Sequence, residues 1–363
     1  MKYYIVSGEN SGDLYGSYLI DSIRKIDKDS TFFCWGGSHM ESKNVHMVRD
    51  LDKLSFMGFY EVFKNIFTVL CNLRLIKREL RIRKPSCIIL IDYPGFNLKV
   101  AKYAKKLNIP VFWFVAPQTW AWKESRVKLL EKYIDKLYVI LPFEKKYFSD
   151  KNINVEYFGH PLVEIINKNP INYLNRKKII LLCPGSRKQE IKSMLPTMLK
   201  VVNYFSDYKF IICGAKNIDL SFYKKYITSE DVQIIYNKNY ELMKSASAAL
   251  VTSGTVTLEL ALNKVPQVVC YKTSLLSYII AKKLVKINFI SLVNLLQNKY
   301  VVDELIQNQF NLDNLILSLE KALNKSNIKT TIDEYDKIES KLNSKLTFDK
   351  ISENISLYLQ SKF

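Results

Sequence analysis

Asp92 closes the apolar run Ile88-Ile89-Leu90-Ile91 and is followed by the turn Tyr93-Pro94-Gly95. A carboxylate in that place can be a turn former or helix cap. It can also be a base whose proton affinity is raised by partial desolvation. Arg187 ends the loop Pro184-Gly185-Ser186-Arg187, behind a second apolar run at 179–183. Backbone N–H groups at a strand-to-helix turn, such as that of Ser186, hold phosphate oxygens, and a guanidinium adds a planar fork that lysine lacks. No arginine follows Arg187 in a chain rich in lysine. A specific phosphate contact therefore outweighs a surface ion pair there.

Two further loops have the same strand, small-residue loop, helix pattern. Ser253-Gly254-Thr255 follows Ala249 to Thr252, and these residues can approach a diphosphate closely at a helix N-terminus. Glu259, one turn later, can accept from ribose hydroxyls or lie on a solvated face. The first loop, from Gly8 to Asp13, lacks a full GxGxxG fingerprint, so it carries no dinucleotide assignment. Glu9 and Asp13 would bring carboxylates to the site, and Ser11 and Gly12 would bring a hydroxyl and a close backbone approach. A plain tight turn explains the glycines equally well. His160, in Phe158-Gly159-His160-Pro161, falls near the domain junction. With three histidines in all and no HxE, HExxH or DxD constellation, neither a catalytic metal nor a cofactor is expected.

Alternating elements must carry these loops. Tyr3 to Val6 opens a strand, loop and helix unit, and further strands are expected at 31–35, 87–91, 111–115 and 136–141. The pattern restarts at Ile179 after a polar asparagine- and lysine-rich linker at 166–178, with strands at 179–183, 210–213, 233–236, 248–252 and 267–271. Two consecutive Rossmann-like α/β domains facing a central cleft are expected, with ligands beyond the carboxyl ends of the strands. The boundaries are set at 1–165 and 179–345, with 346–363 a C-terminal helix packing back on the N-terminal domain.

The formal net charge of +19 implies attraction to an anionic partner. Segment 56–84 interleaves aromatic and aliphatic residues with arginine and lysine, a pattern that suits either a core stripe or an element meeting anionic lipid. No zinc finger or RNP-type strand points to nucleic acid. The six cysteines are scattered without CxxC spacing and are expected reduced, in a cytoplasmic protein. No signal-peptide core and no run of about 18 apolar residues is evident, so membrane contact should be peripheral.

An ordered series of motifs resembles the lipid-A-disaccharide synthase family from about residue 2 to 307. It comprises Ser7-Gly8-Glu9-Asn10-Ser11-Gly12-Asp13, Phe56-Met57-Gly58, Ile91-Asp92-Tyr93-Pro94, Trp120-Ala121-Trp122-Lys123, Leu141-Pro142-Phe143-Glu144-Lys145 and Gly159-His160-Pro161. It continues through Pro184-Gly185-Ser186-Arg187, Thr252-Ser253-Gly254-Thr255 with Glu259, and Ile290 to Leu296, which contains Asn294. The resemblance implies a glycosyltransferase-B fold and transfer of 2,3-diacylglucosamine from UDP to 2,3-diacylglucosamine 1-phosphate (lipid X), with inversion. It implies an essential Asp92, a donor-phosphate Arg187 and a substrate-binding Asn294, and it leaves the oligomeric state open, a homodimer included. It further implies work at the inner face of the inner membrane of a Gram-negative bacterium.

The chain departs from the family where Gly95 replaces a frequent aspartate, Gln118 a serine, and Lys272, after Tyr271, an arginine. The first departure removes a competitor for the base role. The last weakens any bidentate phosphate contact at 272. A UDP-N-acetylglucosamine epimerase, a murein glycosyltransferase and a non-catalytic basic binding protein remain the rival readings.

Overall fold

Cys87–Ile91 and Ala248–Thr252 are buried at every residue, the pattern of strands covered on both faces. The structure, a computed structural model, describes residues 1–51, 66–121, 124–168, 176–227, 229–284, 287–342 and 345–362. Three expectations lie wholly or partly outside these residues: the Phe56-Met57-Gly58 motif with the start of segment 56–84, Trp122-Lys123, and the middle of the linker at 166–178. The chain divides into two units, one of Met1–Glu164 with Leu342–Phe363, the other of Ile165–Lys341.

In the first unit, β1 (Lys2–Ser7), β2 (Thr31–Gly36), β3 (His46–Asp50), β4 (Cys87–Ile91), β5 (Val111–Phe114), β6 (Lys136–Val139) and β7 (Glu156–Tyr157) form one sheet. The order is β3-β2-β1-β4-β5-β6-β7, with every pairing parallel. The direction of winding reverses between β1 and β4. Their register pairs Ser7 with Ile91, so the loops that begin at Gly8 and Asp92 leave the sheet side by side. This is the switch point at which open α/β sheets bind ligands. Beneath it, Tyr4, Val6, Trp35, Ile88, Leu90 and Trp113 belong to one core, where the Trp35 indole N–H donates to the Tyr4 hydroxyl at 2.8 Å.

The last helix, Thr347–Lys362, belongs to this unit although it is far away in sequence. Phe348 stacks on Tyr18 at 5.3 Å, Lys25 pairs with Asp349 at 2.9 Å, and the Tyr358 hydroxyl donates to Asp135 at 2.8 Å. The Phe348 N–H donates to Glu164 at 3.2 Å.

The second unit repeats the plan with β8 (Ile179–Cys183), β9 (Lys209–Gly214), β10 (Val232–Tyr236), β11 (Ala248–Thr252), β12 (Gln267–Tyr271) and β13 (Glu304–Ile306). The order β10-β9-β8-β11-β12-β13 is again parallel throughout and reverses between β8 and β11. Cys183 pairs with Val251, so the loop from Pro184 to Arg187 emerges next to Ser253-Gly254-Thr255. The helix Lys325–Leu342 braces this unit: Lys264, nearly buried, meets Asp336 at 2.5 Å and Glu339 at 2.6 Å, and Tyr335 pairs with Gln267 at 3.2 Å.

Candidate active site

At the switch point of the first unit the backbone is held in an unusual form. Asp92 and Tyr93 are consecutive non-glycine residues with φ of +48° and +51°, a conformation that costs energy for residues with a Cβ. Pro94 then starts the helix Pro94–Lys106, where its fixed φ suits the first turn. The fully buried Asn97 stabilises the turn, since its amide donates to the Asp92 carbonyl at 2.7 Å and its N–H to the Tyr93 carbonyl at 3.0 Å. From the neighbouring loop, Gly8 admits the Tyr93 ring: a Cβ on residue 8 would fall 2.3 Å from it. Glycine there is a packing requirement.

Burial raises the Asp92 carboxyl to about 7, and the charges of Glu9 and then Glu144 add to the effect against an opposing hydrogen bond from the Tyr93 N–H. Glu144 is itself pushed up to about 7 by burial. It accepts from the Trp120 indole at 2.9 Å, the Ile140 N–H at 3.1 Å and the Leu141 N–H at 2.9 Å. Three carboxylates thus share one electrostatic neighbourhood. Ser11, half-buried, lies in the first turn of the helix Asn10–Ile26.

Two residues named with this loop have local tasks instead. Asp13 is buried and accepts from the N–H groups of Gly37 at 2.7 Å, His39 at 3.0 Å and Met40 at 3.2 Å, so it caps the helix Ser38–Glu41. Gly12 is pressed against Ser7, whose Oγ a Cβ would meet at 2.4 Å. His160 is likewise buried; its Nδ1 accepts from the Leu162 N–H at 3.2 Å, and burial lowers its pKa to about 3. It is neutral at physiological pH.

In the second unit, Gly185 has φ of +117°, which glycine accepts readily, and this turns the loop over the start of the helix Lys188–Met198. The Ser186 N–H donates to Glu190 Oε2 at 2.9 Å, and Arg187 Nη1 to Glu190 Oε1 at 2.7 Å. Beside them the Ser253 hydroxyl donates to the Ile290 carbonyl at 2.6 Å. Gly254 is exposed, and among the described residues nothing lies within 4 Å of where a Cβ would stand, so its smallness answers no packing need among them and leaves the backbone open to approach. Thr255 starts the helix Thr255–Leu262, and the half-buried Glu259 on that helix is raised by burial to about 7.

Asn294 is where the sequence reading and the structure part. It is fully buried; its amide donates to Val302 O at 2.9 Å and Glu304 Oε1 at 2.9 Å, and its oxygen accepts from Val301 N at 2.8 Å and Val302 N at 3.0 Å. An amide with both donors and both lone pairs engaged is a bracket for the chain, not a ligand contact. Asn97, Glu144 and Glu190 were not singled out from sequence. Glu190, one helical turn after Arg187, had a legible spacing; Asn97 had none. Among the described residues, no group of three or more His, Cys, Asp or Glu side chains is disposed to hold a metal ion.

The helix Ile66–Arg83 buries Leu73, Ile76 and Leu80 and exposes Phe67, Leu70 and Ile82 with Arg74, Lys77, Arg78 and Arg81. Arg81 is bonded to the Tyr103 hydroxyl, and Arg83 pairs with Glu79 at 2.5 Å over the Phe33 ring. No helix among the described residues is long and apolar enough to cross a membrane.

Comparison with known proteins agrees with this geometry. A family model described as lipid-A-disaccharide synthetase matches residues 3–354. The lipid-A-disaccharide synthase of Syntrophus aciditrophicus is 34% identical over 345 residues, 91% of this chain and 90% of that protein. That of Coxiella burnetii is 34% identical over 340 residues, with 90% of each covered. Among solved structures, the UDP-GlcNAc 2-epimerase of Neisseria meningitidis bound to UDP-GlcNAc superposes with a TM-score of 0.67 at 15% identity, covering 98% of this chain and 99% of that one. A calicheamicin glycosyltransferase gives 0.58 at 12% identity, covering 99% and 98%. With two parallel α/β sheets of one topology, the fold is that of the glycosyltransferase-B class. The chain belongs to the lipid-A-disaccharide synthase family and is a glycosyltransferase of lipid A biosynthesis.

Proposed function

We propose that this chain transfers 2,3-diacylglucosamine from UDP to the 6-hydroxyl of lipid X, with inversion, giving the β-1,6-linked disaccharide 1-phosphate and UDP. The observation that carries the reading is Asp92: a carboxyl in a strained, half-buried turn whose pKa is raised to about 7, first by desolvation and then by the charge of Glu9. Such a group is largely ionised just above neutrality yet basic enough to accept a proton from an attacking alcohol.

As the acceptor oxygen bonds to the anomeric carbon, its proton passes to Asp92. The bond from that carbon to the diphosphate oxygen breaks, and UDP leaves with the electron pair. The Arg187 guanidinium and the N–H groups at Ser186 and at Ser253-Gly254-Thr255 meet the growing charge, so the reaction needs no metal and no cofactor. Glu259 accepts from the ribose hydroxyls. Glu9 and Ser11 lie on the acceptor side, in the first unit; the second unit holds the UDP-sugar. Asp13 and Asn294 hold neighbouring segments, Gly37 to Met40 and Val301 to Glu304, and Gly12 packs its helix against Ser7.

Both substrates carry acyl chains and phosphate, which places the enzyme on an anionic lipid surface. The exposed Phe67, Leu70, Arg74 and Arg78 supply the apolar and cationic contacts for it, at the cytoplasmic face of the inner membrane. The test is an assay of the purified chain with the two diacylated sugars and mass analysis of the product. Lipid X-dependent UDP release with formation of a disaccharide phosphate is expected. UDP release without lipid X, or isomerisation of a UDP-sugar alone, would overturn the proposal in favour of a hydrolase or an epimerase.

A further inference from the structure

The loop after β8 already contains an anion. Glu190 folds back from the first turn of its helix so that one carboxylate oxygen accepts from the Ser186 N–H at 2.9 Å and the other from the Arg187 guanidinium at 2.7 Å. The fit is close, since a Cβ on Gly185 would fall 2.4 Å from Glu190 Oε2 and 2.6 Å from its Cβ. A negative group at the start of a helix is also favoured by the backbone dipoles. The two oxygens therefore occupy the place, and use the donors, that two phosphate oxygens would use.

We propose that Glu190 is a positioning residue for the nucleotide: its carboxylate engages the loop's phosphate donors and gives way when the donor's diphosphate arrives. This rests on the reading of the loop as the donor-phosphate cradle. Holding the Ser186 N–H and the guanidinium together in advance spares the loop a rearrangement on binding. The pair is also easily exchanged, because both side chains are about 30% exposed, where an ion pair contributes little. The returning carboxylate competes with UDP after transfer, which speeds product release at the expense of nucleotide affinity.

Glu190→Gln keeps the shape and removes the competing charge. Calorimetric titration of the full chain with UDP should show binding tighter by roughly fivefold or more, the lower end of usual coupling between sites. Steady-state transfer should show a lower KM for the UDP-sugar with no gain in kcat, a split that a loosened fold does not produce. Glu190→Asp, whose shorter side chain cannot reach both donors, should tighten UDP to a smaller degree and serves if the glutamine variant does not fold. Arg187→Gln should weaken UDP binding and cancel the gain when combined with Glu190→Gln. If Arg187→Gln weakens UDP but neither Glu190 variant tightens it, Glu190 merely braces the loop and the proposal fails alone. If Arg187→Gln leaves UDP binding unchanged, the cradle reading fails with it.

Discussion

The side-chain amide of Asn97 donates to the main-chain carbonyl of Asp92 at 2.7 Å, so a residue five positions along the chain fixes the backbone of the carboxylate proposed as the base. Asn97→Ala removes a buried donor and frees a strained turn. We expect a loss of about 1–3 kcal/mol in stability, the usual range for a buried hydrogen bond with one partner left unsatisfied. Turnover should fall further than stability explains. Chemical denaturation alongside kcat at a temperature where the variant is fully folded separates the two; unchanged kcat would show that the turn does not need this anchor.

Asp92→Asn is expected to lower transfer by about 10²–10⁴, the range for loss of a general base. In the parent, kcat/KM should rise with pH through about 7 and level off above it, because the base acts only when ionised. The stability effect has the opposite sign. The carboxyl is raised in the folded state, so native Asp92 holds its proton at pH values where the unfolded chain has lost it, and folding weakens as pH rises from about 4 to about 7. Above pH 7 the asparagine variant should therefore melt higher than the parent, and near pH 4 the difference should vanish. Equal melting temperatures at pH 8 would contradict the buried-charge account.

Arg187→Lys keeps the charge and loses the planar fork. If the fork grips the diphosphate harder as UDP departs, kcat/KM for the UDP-sugar should fall by about tenfold or more, corresponding to about 1.4 kcal/mol of transition-state stabilisation. Initial rates with lipid X saturating would measure it. A change within about twofold would return Arg187 to a general electrostatic role.

Vesicle binding should depend on the exposed side of the helix Ile66–Arg83. Arg81 and Arg83 are held by Tyr103, Glu79 and Phe33, so the informative change is Arg74→Gln with Arg78→Gln. Each cation near an anionic surface contributes about 1 kcal/mol, so cosedimentation at low salt should drop by about tenfold or more. The deficit should shrink as salt rises. Equal binding at every salt concentration would exclude this face.

Strands buried on both faces announce themselves as continuous apolar runs, and β1, β4, β8 and β11 were readable for that reason, together with the loops at their ends. Three of the four edge strands, His46–Asp50, Glu156–Tyr157 and Glu304–Ile306, are only partly covered and carry no such run, whereas the fourth, Val232–Tyr236, keeps enough apolar residues to be read at 233–236. The positions of Asp92 and Arg187 followed from strand ends. Their supports did not: Asn97 looks like an ordinary helical asparagine until the left-handed turn before it is seen. Asp13 and Asn294 show the converse, since a polar residue inside a shared motif reads as a ligand contact until its hydrogen bonds are counted.

The return of the helix Thr347–Lys362 to the first unit bears on how the protein is made. Ribosomes deliver the chain from its amino end, so the sheet from β1 to β7 leaves the exit tunnel long before the helix that covers Tyr18, Phe112 and Asp135 exists. The unit synthesised first is thus the one completed last. Until that helix has emerged, its aromatic surface is open to chaperones or to other nascent chains, and a chain cut short before Thr347 would leave the unit that carries Asp92 unfinished.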